Sequence, residues 1–133
     1  MFTDKEVNVG LRIFSKTLTC TEISSILDWQ PSEQFEKGTP IYKRNPERLR
    51  EEYLWVYNLE LEQRILFEEQ LQVLVDMICQ RKGKFRKILS ECQIDMFCGY
   101  STKNGQGGFT LEAKLMQKLV SLNIDFSINF YSI

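Results

Sequence analysis

The sequence predicts a single-domain α+β sandwich with element order β-α-β-α-β-α-β, a mostly antiparallel four-stranded sheet of ferredoxin-like character with helices packed on it. Three observations lead there. Runs near both ends alternate apolar and polar residues with a period of two, as strands with one buried face do. Between them lie segments whose apolar residues recur every three or four positions, as in amphipathic helices. And 133 residues with 43% hydrophobic and 26% charged composition suit one core, so residues 1–133 are read as one domain.

The first strand is carried by Val7, Val9, Leu11 and Ile13, alternating with Asn8, Gly10 and Arg12. In "TLTCTEISSILDWQP", Thr19 followed by Glu22 fits a capping box, Ile23, Ile26 and Leu27 form one stripe, and Pro31 stops the helix. Residues 30–52 hold all three prolines, Gly38 and "YKRNPERLREE". They read as an irregular connection with one helical turn after Pro46.

"EYLWVYNLEL" is a second strand, rich in aromatic and β-branched residues. From Gln63 to Gln80, Leu66, Phe67, Leu71, Leu74, Val75 and Ile78 mark the longest helix, ended or kinked by Gly83, with "KFRKILSE" a further short helix. "QIDMFCGYS" is strand three. A glycine loop follows, then the helix "TLEAKLMQKLVSLN" and the alternating strand "IDFSINFYSI". Two β-α-β halves joined through the middle helix are the expected plan.

The loop "YSTKNGQGGFTLEAKL" places Gly105, Gly107 and Gly108 ahead of a helix, where phosphates bind in some nucleotide enzymes. No lysine follows the glycines, so the GxxxxGK[ST] pattern fails, and Thr110 stands where a GxGxxG motif needs its third glycine. Thr110 as helix cap with Glu112 in the first turn is the preferred reading. The basic cluster "RKGKFRK", Arg81 to Lys87, is read as a solvated helix end.

The chain contains no histidine. That removes Ser-His-Asp and Cys-His nucleophile activation and every His-containing zinc site. Cys20, Cys79, Cys92 and Cys98 form no CxxC pair and are expected as reduced thiols, with neither metal nor cofactor. A net charge of -1 argues against nucleic acid as a partner. With no apolar run long enough to span a bilayer and no signal-peptide pattern at the N-terminus, a cytoplasmic protein without membrane association is expected.

The candidate site comes from the phase of the strands. If Leu54 and Val56 share the core face with the first strand's apolar residues, the opposite face carries Arg12, Phe14, Tyr53, Trp55, Tyr57, Asp95, Phe97, Asp125, Asn129 and Tyr131. Six of these ten are aromatic, the composition of an interface rather than a solvated sheet. Helix 63–80 covering this face is the open alternative.

"LTCTEISSILDWQPSEQFEKGTPI", "YLWVYNLE" and "KLMQKLVSLNIDFSINFY" resemble a family of small uncharacterised bacterial proteins, domain of unknown function 4279, in the order of parts over most of the chain. The resemblance brings no catalytic residues. It implies a cytoplasmic single-domain protein similar in kind to immunity proteins, which act by binding.

The expected function is accordingly a non-enzymatic protein-interaction module. Arg12, Trp55, Tyr57, Phe97, Asp125 and Tyr131 form the partner-binding set, and homodimerisation remains open. A small-ligand-binding or regulatory domain, using this groove or a pocket between the middle helix and the sheet, is the alternative. A third reading, a histidine-free enzyme, would use Asp95 or Asp125 as general base with Cys98 nearby.

Overall fold

The computed structural model describes residues 5–104 and 106–132. Its element order is β1 (Lys5–Ser15), α1 (Cys20–Leu27), β2 (Glu33–Phe35), β3 (Pro40–Tyr42), β4 (Asn45–Leu49), β5 (Tyr53–Leu59), α2 (Phe67–Cys79), α3 (Lys82–Arg86), β6 (Cys92–Thr102), α4 (Ala113–Ser121) and β7 (Asp125–Ser132). The α+β class is as expected, while the sheet has five strands rather than four, in the order β2-β5-β1-β6-β7.

Three of its junctions are antiparallel and β6 pairs parallel with β7. The sheet is therefore mixed, and the plan of two β-α-β halves holds only for β6-α4-β7. β1 and β5 are antiparallel neighbours, because the long segment after α1 lets the chain reverse before it re-enters the sheet.

That segment, 30–52, is where the sequence misleads most. It contains the edge strand β2 and the β3–β4 hairpin, in which Tyr42 pairs with Asn45 around a two-residue turn and Pro40 with Leu49. The helical turn expected directly after Pro46 is absent, and Pro46 lies within the strand β4. Proline disfavours helical geometry at the preceding residue, and on an exposed two-stranded ribbon its missing N–H costs little.

Helix α1 begins as its residues dictate. Glu22 N–H donates to Thr19 Oγ1 (3.1 Å) and Thr19 N–H to Glu22 Oε1 (3.2 Å), the reciprocal capping box. It ends at Asp28, whose φ of 51° turns the chain toward Trp29. Helix α2 starts four residues later than the Gln63 expected. Gln63 instead closes the end of β1: Val7 N–H donates to Oε1 and Nε2 donates to Val7 O, both at 3.0 Å. Gly83 does not end a helix but lies inside α3, so the basic cluster spans the α2–α3 junction. Helix α4 starts at Ala113 behind Glu112, and Thr110 is not its cap.

All four helices lie on one face of the sheet. Phe67 of α2 meets the ring of Tyr100 at 5.6 Å, and Leu115 and Leu119 of α4 join the same core as Val9, Leu11, Ile13 and Met96. The underside of α2 is filled, with Leu71, Leu74, Val75 and Ile78 buried.

Strand β5 has the opposite phase from that expected. Ile13 pairs with Trp55 and Leu11 with Tyr57, and cross-strand partners share a face, so Trp55 and Tyr57 lie under the helices. Trp55 is 0% exposed and its indole N–H donates to Ser24 Oγ at 3.0 Å. Trp29 meets its ring edge-on at 5.7 Å and contacts Tyr57 at 4.8 Å and Phe85 at 6.3 Å. In "YLWVYNL" both phases are apolar, so alternation carries no information. The larger indole, with a polar atom that Ser24 satisfies, takes the interior.

Candidate functional site

With Trp55 and Tyr57 turned inward, the other side of the sheet carries Leu54 and Val56 in their place. The register lays the open face out in rows. Val56, Arg12, Asp95 and Asp125 stand side by side across β5, β1, β6 and β7, with Glu33 of β2 beyond Val56. One row along are Asn58, Gly10, Phe97 and Ser127, then Asn8, Gly99 and Asn129. In the other direction lie Phe35, Leu54, Phe14 and Gln93. No lysine stands in these rows.

The centre of the face is a fixed ion pair between aromatic rings. Arg12 Nε donates to Asp95 Oδ1 at 2.9 Å and Arg12 Nη2 to Oδ2 at 2.5 Å, the bidentate geometry that suits guanidinium and carboxylate. Ser127 Oγ donates to the same Oδ2 at 3.2 Å. The guanidinium lies 4.3 Å from the ring centre of Phe97 and 5.3 Å from that of Phe14, within cation–π range. The side chains of Arg12 and Asp95 are only 29% and 12% exposed, although none of the described helices covers them. Their shielding comes from Phe14, Phe97 and neighbouring strands, so the pair is held ready before anything binds.

Two glycines lower the floor beside it. A Cβ on Gly99 would stand 2.7 Å from Asn8 Oδ1, and one on Gly10 would be 3.0 Å from Asn58 Oδ1. The two carboxamides thus lie across the glycines. Beyond the end of β5 they line, with Phe97, Leu59, Leu61 and Gln63, a cleft of about 460 Å³. At the β2 edge, Arg50 stacks 4.1 Å over Phe35, and its buried Nε has no hydrogen-bond partner among the described residues.

Of the six side chains expected to bind a partner, Arg12, Phe97, Asp125 and Tyr131 share the open face. Trp55 and Tyr57 belong to the core cluster around Trp29 and are withdrawn from it. Phe14, Leu54, Val56, Asn8 and Asn58 complete the face. Asn8 was legible from its phase with Arg12; Leu54, Val56 and Asn58 became legible only through the register of β5 with β1.

Asp95 and Asp125 are direct neighbours, as their shared phase suggested, but Cys98 is not on their side of the sheet. It is buried with Met96 under the helices, and burial pushes its thiol from 9.0 up to about 12, with a smaller rise from the Asp95 charge. A thiol that holds its proton so tightly is a poor nucleophile, and Asp95 is already committed to Arg12.

The glycine loop resolves as packing. Gly105 lies outside the described residues. A Cβ at Gly107 would fall 2.8 Å from the Tyr100 hydroxyl, which donates to Gly108 O at 3.2 Å, so glycine is needed for this close approach. A second cleft of about 210 Å³ between α2 and α4 is lined by Glu68, Glu69 and Glu112, carboxylates that repel a phosphate.

The family model Domain of unknown function (DUF4279) matches residues 5–132, from β1 to the last residue of β7. The chain belongs to the DUF4279 family. No curated protein and no solved structure matches it. The open face and the helix-covered face of this DUF4279 domain are thus both built wholly within the matched span. Among its described residues no cluster of Cys, Asp or Glu has the arrangement of a metal site, and no helix is long and apolar enough to cross a membrane.

Proposed function

We propose that this DUF4279 domain is a non-enzymatic protein-interaction module that binds a partner protein on the open face of its sheet. The observation that carries the reading is the Arg12–Asp95 pair held between Phe14 and Phe97 on a face that none of the described helices covers. Arginine and aromatic side chains without lysine are the make-up of an interface centre. Because Arg12 is neutralised by Asp95, the uncompensated charges around that centre are Glu33 and Asp125, both exposed. The face therefore suits a partner with an apolar centre and basic side chains at its rim. Occupying such a partner rather than transforming it is how an immunity-type protein works, and a bacterial cytoplasmic setting fits that reading.

The test is a binding titration of the wild type and of an Asp125→Lys, Tyr131→Ala double variant against the protein recovered with the wild-type domain from its host. Both side chains are exposed, so the variant should fold normally. A loss of affinity of tenfold or more is the expected result. Unchanged affinity with an intact fold would place the partner elsewhere.

The cleft beside Asn8, Asn58 and Phe97 favours one second reading, a small-ligand or regulatory domain. Its polar lining and volume fall within the range of ligand clefts. A metabolite that raises the melting temperature of the wild type but not of an Asn58→Leu variant would support it.

A further inference from the structure

We propose that the domain pairs with a second copy of itself through the free edge of β7, so that the two sheets join into one across a two-fold axis. The sheet has two edges, and they are treated differently. β2 is a three-residue edge carrying Glu33, the short and charged form that discourages further pairing. β7 runs for eight residues, Asp125–Ser132, in unbroken register with β6. It contains no proline or lysine and a single charge, Asp125.

The side chains above this edge match. Lys118 of α4 reaches Asp76 of α2 at 3.7 Å, while Leu115 and Leu119 are buried beneath the helix. At about 100° per residue, Met116 and Val120 then fall on the flank turned away from α2. Helix α2 lies over β1, and β6 and β7 follow β1 outward, so that flank looks past the β7 edge. Val120 is 78% exposed and Met116 44%, and on β7 Phe130 is 63% exposed. No charged residue of α4 shares their flank.

A second copy fits this edge because the strand is complementary to itself. In the antiparallel register centred on Ile128, Phe126 of one copy stands opposite Phe130 of the other, and Asp125 opposite Tyr131. Aromatic cross-strand pairs stabilise such a ladder. The lone acid of each copy meets a phenol rather than another carboxylate, so no like charges oppose each other. The contact is isologous and closes at two copies.

Sedimentation of the full chain over the micromolar range, with hydrogen exchange read in parallel, tests this. The expected result is a monomer–dimer equilibrium in which amides of β7 gain protection as concentration rises while those of β2 do not. Val120→Arg, at a position the fold does not use, should raise the dimer dissociation constant tenfold or more, and Phe130→Lys should act in the same direction. A chain that stays monomeric throughout overturns the proposal, as does a dimer that Val120→Arg leaves unchanged with β7 unprotected. Protection of β7 that appears only when a different protein is added would show that the edge accepts a foreign strand, and would overturn it too.

Discussion

Trp55 shows how one side chain can decide which face of a sheet faces outward. Its indole N–H, satisfied by Ser24 inside the core, removes the cost that burying an unpaired donor would carry. Trp55→Ala is expected to destabilise the fold by about 3–5 kcal/mol, measured by urea unfolding, whereas an exposed binding residue would cost almost nothing. Cys98 yields a second prediction. Its folded pKa of about 12 lies above its ordinary 9.0, so the unfolded chain loses the proton first. Stability is intact below pH 9 and falls as pH rises from there toward 12. Cys20 and Cys92 are raised by burial as well and add to the same slope. Denaturant midpoints across this range should fall less steeply for Cys98→Ala than for the wild type; equal slopes would refute the assignment.

At the level of elements, the β3–β4 hairpin is the part of the chain the core least requires. Its residues are exposed apart from Ile41, and the hydrogen bonds at its base, Gly38 N–H to Arg50 O and Arg50 N–H to Thr39 O, both at 2.8 Å, close it off from the sheet. Replacing residues 41–48 with a short turn should therefore shift the melting temperature by only a few degrees, read by circular dichroism; loss of cooperative unfolding would show that the hairpin is structural. The same segment marks where sequence reading stops. β1, α1, β6 and β7 are legible because one face of each is apolar and the other polar, and the Thr19–Glu22 box names its own helix start. β2 to β4 are too short to show a period, and their pairings are made with residues far away in the chain. β5 shows its existence but not its phase, which depends on the pairing of Ile13 with Trp55. Arg12, Phe97, Asp125 and Tyr131 stand on the open face as expected because they lie on strands of the first kind, whereas Trp55 and Tyr57, on a strand of the second, stand on the opposite face from the one expected.

For the whole molecule, one face of the sheet is spent on stability and the other remains available. The helices, the core and the aromatic cluster around Trp29 all lie on the first. The second presents a shielded ion pair, two half-buried phenylalanines and a rim of uncompensated acids. Hydroxyl-radical footprinting of the domain alone and in complex with the protein partner proposed for it, read by mass spectrometry, tests this division most directly. Phe14, Phe97 and Tyr131 are expected to be oxidised in the free protein and protected in the complex, with Trp55 unmodified in both. Strong oxidation of Trp55 in the free protein, or unchanged oxidation of Phe97 and Tyr131 on binding, would contradict it.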